Sequence, residues 1–208
     1  MASFNVNGIR AARRRGFDKW LAERSPDVVG IQELRCPESE VGEFAGYAAA
    51  IDAGSVAGRN GVALLTRVPP AAVRNWVTHP PKARGLNEFA GQGRYIEVDL
   101  ADRAVTVACL YLPKGGLPAE RQKAGGMRDK PDGGAKYERK QRFFAAFTKE
   151  LNRNRLAARR ADGGDVPRFP PLLRVDLVRH GPAHRGRRRA AVRIVGRFPA
   201  RSSRTTSC

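Results

Sequence analysis

The chain has little cysteine. Cys36, Cys109 and Cys208 are odd in number and far apart among 208 residues. No zinc-binding spacing can be drawn from them, and a secreted disulfide framework is excluded on the same count. Long hydrophobic runs are missing too, so the sequence offers no membrane span. No signal peptide is read at the start, because Met1 leads straight into a strand pattern. Acidic charge is sparse, with 20 Asp and Glu against 39 Lys and Arg. Lysine and glutamate vanish altogether after residue 150. These absences predict a soluble, cytoplasmic monomer with no business at a membrane.

What is present is positive charge. The formal net charge is +19 and the sequence pI is about 11.1, which points to an anionic polymer as partner, nucleic acid first. The charge is uneven. Residues 151–208 hold 15 arginines against only Asp162, Asp165 and Asp176. The length suits one globular domain with a real core.

Apolar patterning predicts strands over 2–6, 27–32, 47–51, 62–66 and 72–77. The runs 94–100 and 104–111 read as a hairpin. A helix is predicted over 10–24, where Phe17, Trp20 and Leu21 share a face, and a short acidic one over 37–45. The strongest helix pattern runs from Lys136 to about Arg160, with Phe143, Phe147 and Leu151 in step and Phe144 widening the stripe. Residues 78–92 and 113–135 read as loops. Beyond Ala161 the periodicity fades, although Leu172-Leu173 and Val192 to Val195 have strand character.

Three polar residues end apolar strands. Glu33 closes the run Val28-Val29-Gly30-Ile31-Gln32. A carboxylate at the edge of a core is costly unless it is paired or holds a cation, and magnesium is often held by one or two carboxylates plus water and phosphate. Two readings stand: a magnesium ligand, or a solvated carboxylate paired with Arg35. Asn5 can orient a carboxylate or bind a phosphate oxygen, or it can cap the following helix. Tyr111 can donate to a phosphate or sugar oxygen, or sit at the core edge with its hydroxyl in water. In layered sheet enzymes sites lie beyond strand ends, so the three together say more than any one. Arg35 and the loop cations Lys114, Arg121, Lys123, Arg128 and Lys130 suit contact with a DNA backbone; a solvated loop is the competing reading.

Asn5-Val6-Asn7-Gly8-Ile9-Arg10 and Asp27-Val28-Val29-Gly30-Ile31-Gln32-Glu33-Leu34-Arg35 resemble the first two signature segments of the exonuclease III family, the bacterial apurinic/apyrimidinic endonucleases. Four more segments follow in family order: Asn60-Gly61-Val62-Ala63-Leu64-Leu65-Thr66, Gly93-Arg94-Tyr95-Ile96-Glu97, Leu110-Tyr111-Leu112-Pro113 and Lys136-Tyr137-Glu138-Arg139-Lys140. The resemblance covers roughly the first 155 residues. It implies an α/β, DNase I-like four-layer sandwich, two β-sheets flanked by helices, incomplete here and followed by an irregular basic tail. It implies hydrolysis of DNA phosphodiesters beside abasic sites and at 3′ ends of double-stranded DNA. Mg2+ would be the cofactor, with Mn2+ as alternative. By position, Glu33 would be the metal ligand, Asn5 would support metal and phosphate, and Tyr111 would contact the scissile phosphate or the abasic sugar.

The resemblance then stops. The family continues with Gly-Asp-Phe-Asn and, later, Ser-Asp-His, and this sequence contains neither. Gly164-Asp165-Val166 is the nearest approach to the first, and His180 and His184 have no preceding Ser-Asp. The composition change after Arg160 leads to an expected division at 160. Residues 1–160 form the family-like catalytic part, and 161–208 form an Arg-rich tail, disordered or produced by a shifted reading frame. A basic DNA-binding extension is the other account of that tail. The competing function is therefore a non-enzymatic, basic nucleic-acid-binding protein. Another phosphoester substrate, such as a phospholipid, fits the charge less well.

Overall fold

The computed structural model describes residues 1–56, 58–103, 105–122, 131–161, 174–178 and 191–196. Nine strands fall within them: β1 (Ala2–Asn5), β2 (Val28–Gln32), β3 (Ala48–Asp52), β4 (Val62–Thr66), β5 (Ala72–Asn75), β6 (Tyr95–Asp99), β7 (Thr106–Leu110), β8 (Arg174–Val178) and β9 (Ala191–Gly196). The helices are α1 (Ile9–Arg14), α2 (Phe17–Arg24), α3 (Ala119–Gln122) and α4 (Ala135–Ala161). One sheet has the order β1-β2-β4-β3, the other β5-β6-β7-β9-β8.

The burial pattern explains why the strands read as unbroken apolar runs. All five residues of β2 and of β4 are buried, because both faces of the first sheet are covered. On β4, Val62 and Leu64 point between the sheets, where they meet Ile96, Val98, Val107 and Cys109 of the second. Ala63 and Leu65 point the other way, onto Ile9, Phe17 and Leu21 of α1 and α2. The outer face of the second sheet packs on α4 through Trp76, Leu110, Phe143 and Phe147. The result is four layers: helices, sheet, sheet, helix. The expected α/β sandwich is what the chain forms.

The structure departs from the sequence reading in detail. The helix expected over 10–24 is two, since Gly16 lies between α1 and α2 at φ 93 and turns the chain. The helix expected over 37–45 shrinks to a 3-10 turn at Glu38–Glu40, held between Pro37 and a left-handed Gly42. The loop over 78–92 contains a 3-10 stretch, Arg84–Phe89, that gives Leu86 and Phe89 to the core under α4. Phe144 does not widen the buried stripe: it is 40% exposed and touches Phe143 edge-on. The hairpin is as expected, with β6 antiparallel to β7 from Tyr95↔Leu110 to Asp99↔Thr106. In the Arg-rich segment, β9 pairs with β7 and β8 pairs with β9. The Gly164-Asp165-Val166 segment, His180 and His184 lie outside the described residues, as do Lys123, Arg128 and Lys130. Among the described residues, no helix is long and apolar enough to cross a membrane.

Candidate active site

Strands β1 and β2 run parallel with Asn5 opposite Gln32, so their C-terminal ends lie side by side. Strand β7 of the other sheet reaches the same place. Gln32 Nε2 donates to Cys109 Sγ at 3.1 Å, and that sulfur lies 3.4 Å from Ile31 O. Burial pushes the Cys109 thiol up to about 12, against smaller opposing effects from Gln32 and Ile31. It is a neutral strut between the sheets. Three strand ends therefore converge, and each delivers one of the three singled-out residues: Asn5, Glu33 and Tyr111.

Glu33 is the centre. It is only 2% exposed. Asn5 Nδ2 donates to Oε1 at 2.8 Å and the Tyr111 hydroxyl donates to the same oxygen at 2.9 Å. Arg35 Nη2 lies 2.6 Å from Oε2. This corrects half of the competing reading: the pair with Arg35 exists, but the carboxylate is buried rather than solvated. A buried charge persists only when paired and hydrogen-bonded, and these three donors meet that condition. Arg35, read as a DNA contact, is engaged with Glu33 here. Asn5 also accepts from the Asn7 backbone N–H at 3.2 Å, which fixes its amide.

The backbone that carries Glu33 is unusual. Glu33 and Arg35 adopt φ 61 and φ 56, a left-handed conformation rare outside glycine. Such residues cost of order 1 kcal/mol each and persist where neighbours hold them. Here the neighbours are two loops. Gly8 and Ile9 donate to Glu33 O and Leu34 O at 2.8 and 3.0 Å. Leu34 and Arg35 donate to Gly61 O and Asn60 O at 3.1 and 2.9 Å. The turn is stitched on both sides, and it aims the carboxylate at Asn5 and Tyr111.

Sequence reasoning missed a second ring of residues. Arg94, 7% exposed, donates from Nε to Gln92 Oε1 at 2.9 Å and from Nη1 to Tyr111 O at 3.3 Å. Its guanidinium carbon lies 5.3 Å from the Tyr111 ring centroid. Burial lowers its pKa to about 10, and nearby Arg139 pushes the same way. On the opposite side, Gly8, Arg10, Ala11, Arg14, Leu34 and Arg35 line a cleft of about 380 Å³. The spacing of Arg10 and Arg14 by four on a helix was the available signal for that cleft; Arg94 gave none beyond standing in a family-like segment. Of the loop cations, Lys114 and Arg121 are exposed.

Glu33 itself offers a cation only carboxylate oxygens, and among the described residues no three His, Cys, Asp or Glu side chains gather around a common point. That suits Mg2+ or Mn2+, which accept one carboxylate with waters and phosphate oxygens, and does not suit zinc.

The chain is similar to several known proteins. The chain is 29% identical over 120 residues to the DNA repair nuclease APEX1 of Danio rerio, an alignment covering 54% of this chain and 36% of that protein. Its fold is similar to the 3′-5′ exonuclease NExo of Neisseria meningitidis, at 22% identity and TM-score 0.53 over 74% of this chain and 52% of that one. It is equally similar to an AP endonuclease from Archaeoglobus fulgidus, at 24% identity and TM-score 0.53 over 73% of this chain and 50% of that one. The chain thus spans about half the length of these solved relatives and about a third of the zebrafish protein. The sequence signature of the Endonuclease/Exonuclease/phosphatase family matches residues 2–206, Arg-rich segment included, and the chain belongs to that family.

Proposed function

We propose that this chain carries the metal and phosphate half of a DNA phosphodiesterase of the exonuclease III and AP endonuclease type, acting on abasic sites or 3′ ends of duplex DNA. One observation carries the reading: the buried Glu33 carboxylate receives Asn5 at 2.8 Å and Tyr111 at 2.9 Å where strands of both sheets end. The names of the relatives, a DNA repair nuclease, an exonuclease and an AP endonuclease, support DNA as substrate. So does the net charge of +19.

Glu33 would hold Mg2+ or Mn2+, with Asn5 fixing its orientation. When bound, the ion would polarise the phosphoryl oxygens and steady charge on the leaving oxygen. Arg35 is partly exposed, so it can leave Oε2 and turn to a phosphate oxygen when a cation takes its place. Tyr111, anchored through its hydroxyl, would stand against the phosphate or the sugar of the damaged nucleotide. Arg10 and Arg14 in the adjoining cleft would hold the flanking backbone. The family's Gly-Asp-Phe-Asn and Ser-Asp-His, which by the resemblance supply the base, a phosphate-binding Asn and a phosphate-engaging His, are not in this sequence. A missing general base alone costs about 10²–10⁴-fold, so turnover by this chain should be near that of a Glu33→Ala control.

Binding tests the reading better than turnover. Duplexes with and without one abasic site, titrated in Mg2+, should show tighter binding to the abasic duplex. Tyr111→Ala should remove that preference. Equal affinity for both duplexes, unaltered by Tyr111→Ala, would leave only a basic nucleic-acid binder.

A further inference from the structure

Arg94 is a cation in the wrong company. It is 7% exposed, and among the described residues no carboxylate lies within ion-pair distance of it. Its two acceptors, Gln92 Oε1 and Tyr111 O, are neutral. Its Nη2 has no acceptor among the described residues. A desolvated guanidinium without a counter-charge is costly, and a ligand anion is the usual remedy.

A second guanidinium points at the same spot. Arg139 of α4 donates from Nη2 to the same Gln92 Oε1 at 3.3 Å. Its Nε lies 3.5 Å from the exposed Glu88, and it stacks over Phe89 with its guanidinium carbon 4.7 Å from the ring centroid. Two cations thus converge on one neutral amide oxygen. Gln92 is tethered at both ends: its side-chain Nε2 donates to Glu88 O, and its backbone carbonyl accepts from Asn60 Nδ2 at 3.0 Å. Burial is the main cause of the lowered Arg94 pKa, with Tyr111 opposing it and Arg139 adding a smaller push downward. A glutamate at position 92 would bring a carboxylate of the same size to both guanidiniums, in exchange for the amide bond to Glu88 O.

We infer that Arg94 and Arg139, joined at Gln92, form a second anion-binding station beside Tyr111 that takes a backbone phosphate of the nucleic acid, separate from the phosphate at Glu33. The inference rests on the DNA reading above and adds to it a site on the α4 side of Tyr111. Guanidinium forks match phosphate oxygens bidentately. Gln92 stays neutral so that the charge remains available to the ligand. Because Arg94 lies against the Tyr111 ring, a phosphate held there would also fix that ring in place.

The experiment is a salt series of abasic-duplex binding by the full chain in a metal chelator, which takes the Glu33 site out of the measurement. Arg139→Gln, on the partly exposed helix face, should lower the slope of log affinity against log salt by about 0.9, one phosphate contact. Gln92→Glu supplies an internal anion. It should raise the melting temperature by about 2 °C or more while weakening binding at least ~10-fold more than Thr148→Glu, which adds the same charge at an exposed position of α4. A Gln92→Glu chain that is more stable but binds like Thr148→Glu, with an unchanged slope in Arg139→Gln, would overturn the station and leave the proposed function standing. Absence of duplex binding by the wild-type chain would overturn both. If inorganic phosphate stabilises wild type but not Arg139→Gln, and the duplex slope does not change, the ligand is free phosphate and the nucleic-acid assignment falls.

Discussion

Asn5 and Glu33 show how much one side chain depends on another. Asn5 is half-buried, and its amide is held from behind by the Asn7 N–H so that its own N–H₂ meets Glu33. An asparagine so placed does not carry charge; it sets the direction of the residue that does. Partners of this kind, when removed, typically cost about 10–100-fold in metal affinity. Asn5→Ala should therefore weaken Mn2+ binding by a factor in that range, read by the loss of free-ion signal in electron paramagnetic resonance. An unchanged affinity would reduce Asn5 to a turn residue. Asn7, by contrast, is exposed at φ 51 directly before Gly8, and α1 starts after Gly8 with no side-chain cap.

At the scale of elements, the site is assembled by loops clamped to one another. Gly54 and Gly93 pack backbone to backbone: a Cβ on Gly93 would meet Gly54 N at 2.8 Å and Ala53 O at 2.9 Å, and φ is 61. That contact seats the segment carrying Gln92 and Arg94. Gly133 has φ 62 but nothing within 4 Å of such a Cβ, so it isolates the backbone cost from the steric one. Gly133→Ala should lose about 1 kcal/mol and Gly93→Ala about 2 kcal/mol more, measured by urea unfolding. Equal losses would mean that the Gly54–Gly93 contact does not tighten the loops.

The same contrast explains what could be read in the sequence. Strands β2 and β4, buried on both faces, announce themselves as continuous apolar runs, and the three strand-end residues of the site follow from where those runs stop. The break at Gly16 is local, a glycine at φ 93 held by bonds within its own turn. The left-handed turn at Glu33 and the meeting of Arg94 with Arg139 leave no local trace. The turn at Glu33 depends on backbone hydrogen bonds to two distant loops, and the arginine pair joins residues 45 positions apart through Gln92. Phe144 misled because helical spacing gives a stripe but not its width, which α4 sets by its seat on Trp76, Leu86 and Phe89.

For the whole molecule, the two sheets depend on a seam of neutral groups. Cys109 lies in that seam, its thiol pushed up to about 12 from an ordinary 9.0 by burial. Burial likewise raises Tyr95, next to Glu97, and Cys36. The unfolded chain releases these protons first, so between pH 9 and 12 the folded state binds more of them and stability falls as pH rises. Each group contributes at most about 1.4 kcal/mol per pH unit. The urea midpoint should therefore drop from pH 8 to pH 10, and Cys109→Ala, though less stable at pH 8, should show a shallower drop. A drop as steep as wild type would place the alkaline sensitivity elsewhere.

If Glu33 is the seat of a divalent ion, titration of the full chain with Mn2+, beside Glu33→Gln, tests it most directly. The substitution keeps shape and removes charge. The expected result is one saturable site in the wild-type chain, weakened at least ~10-fold by Glu33→Gln and displaced by Mg2+. Superimposable titration curves for the two proteins would contradict it.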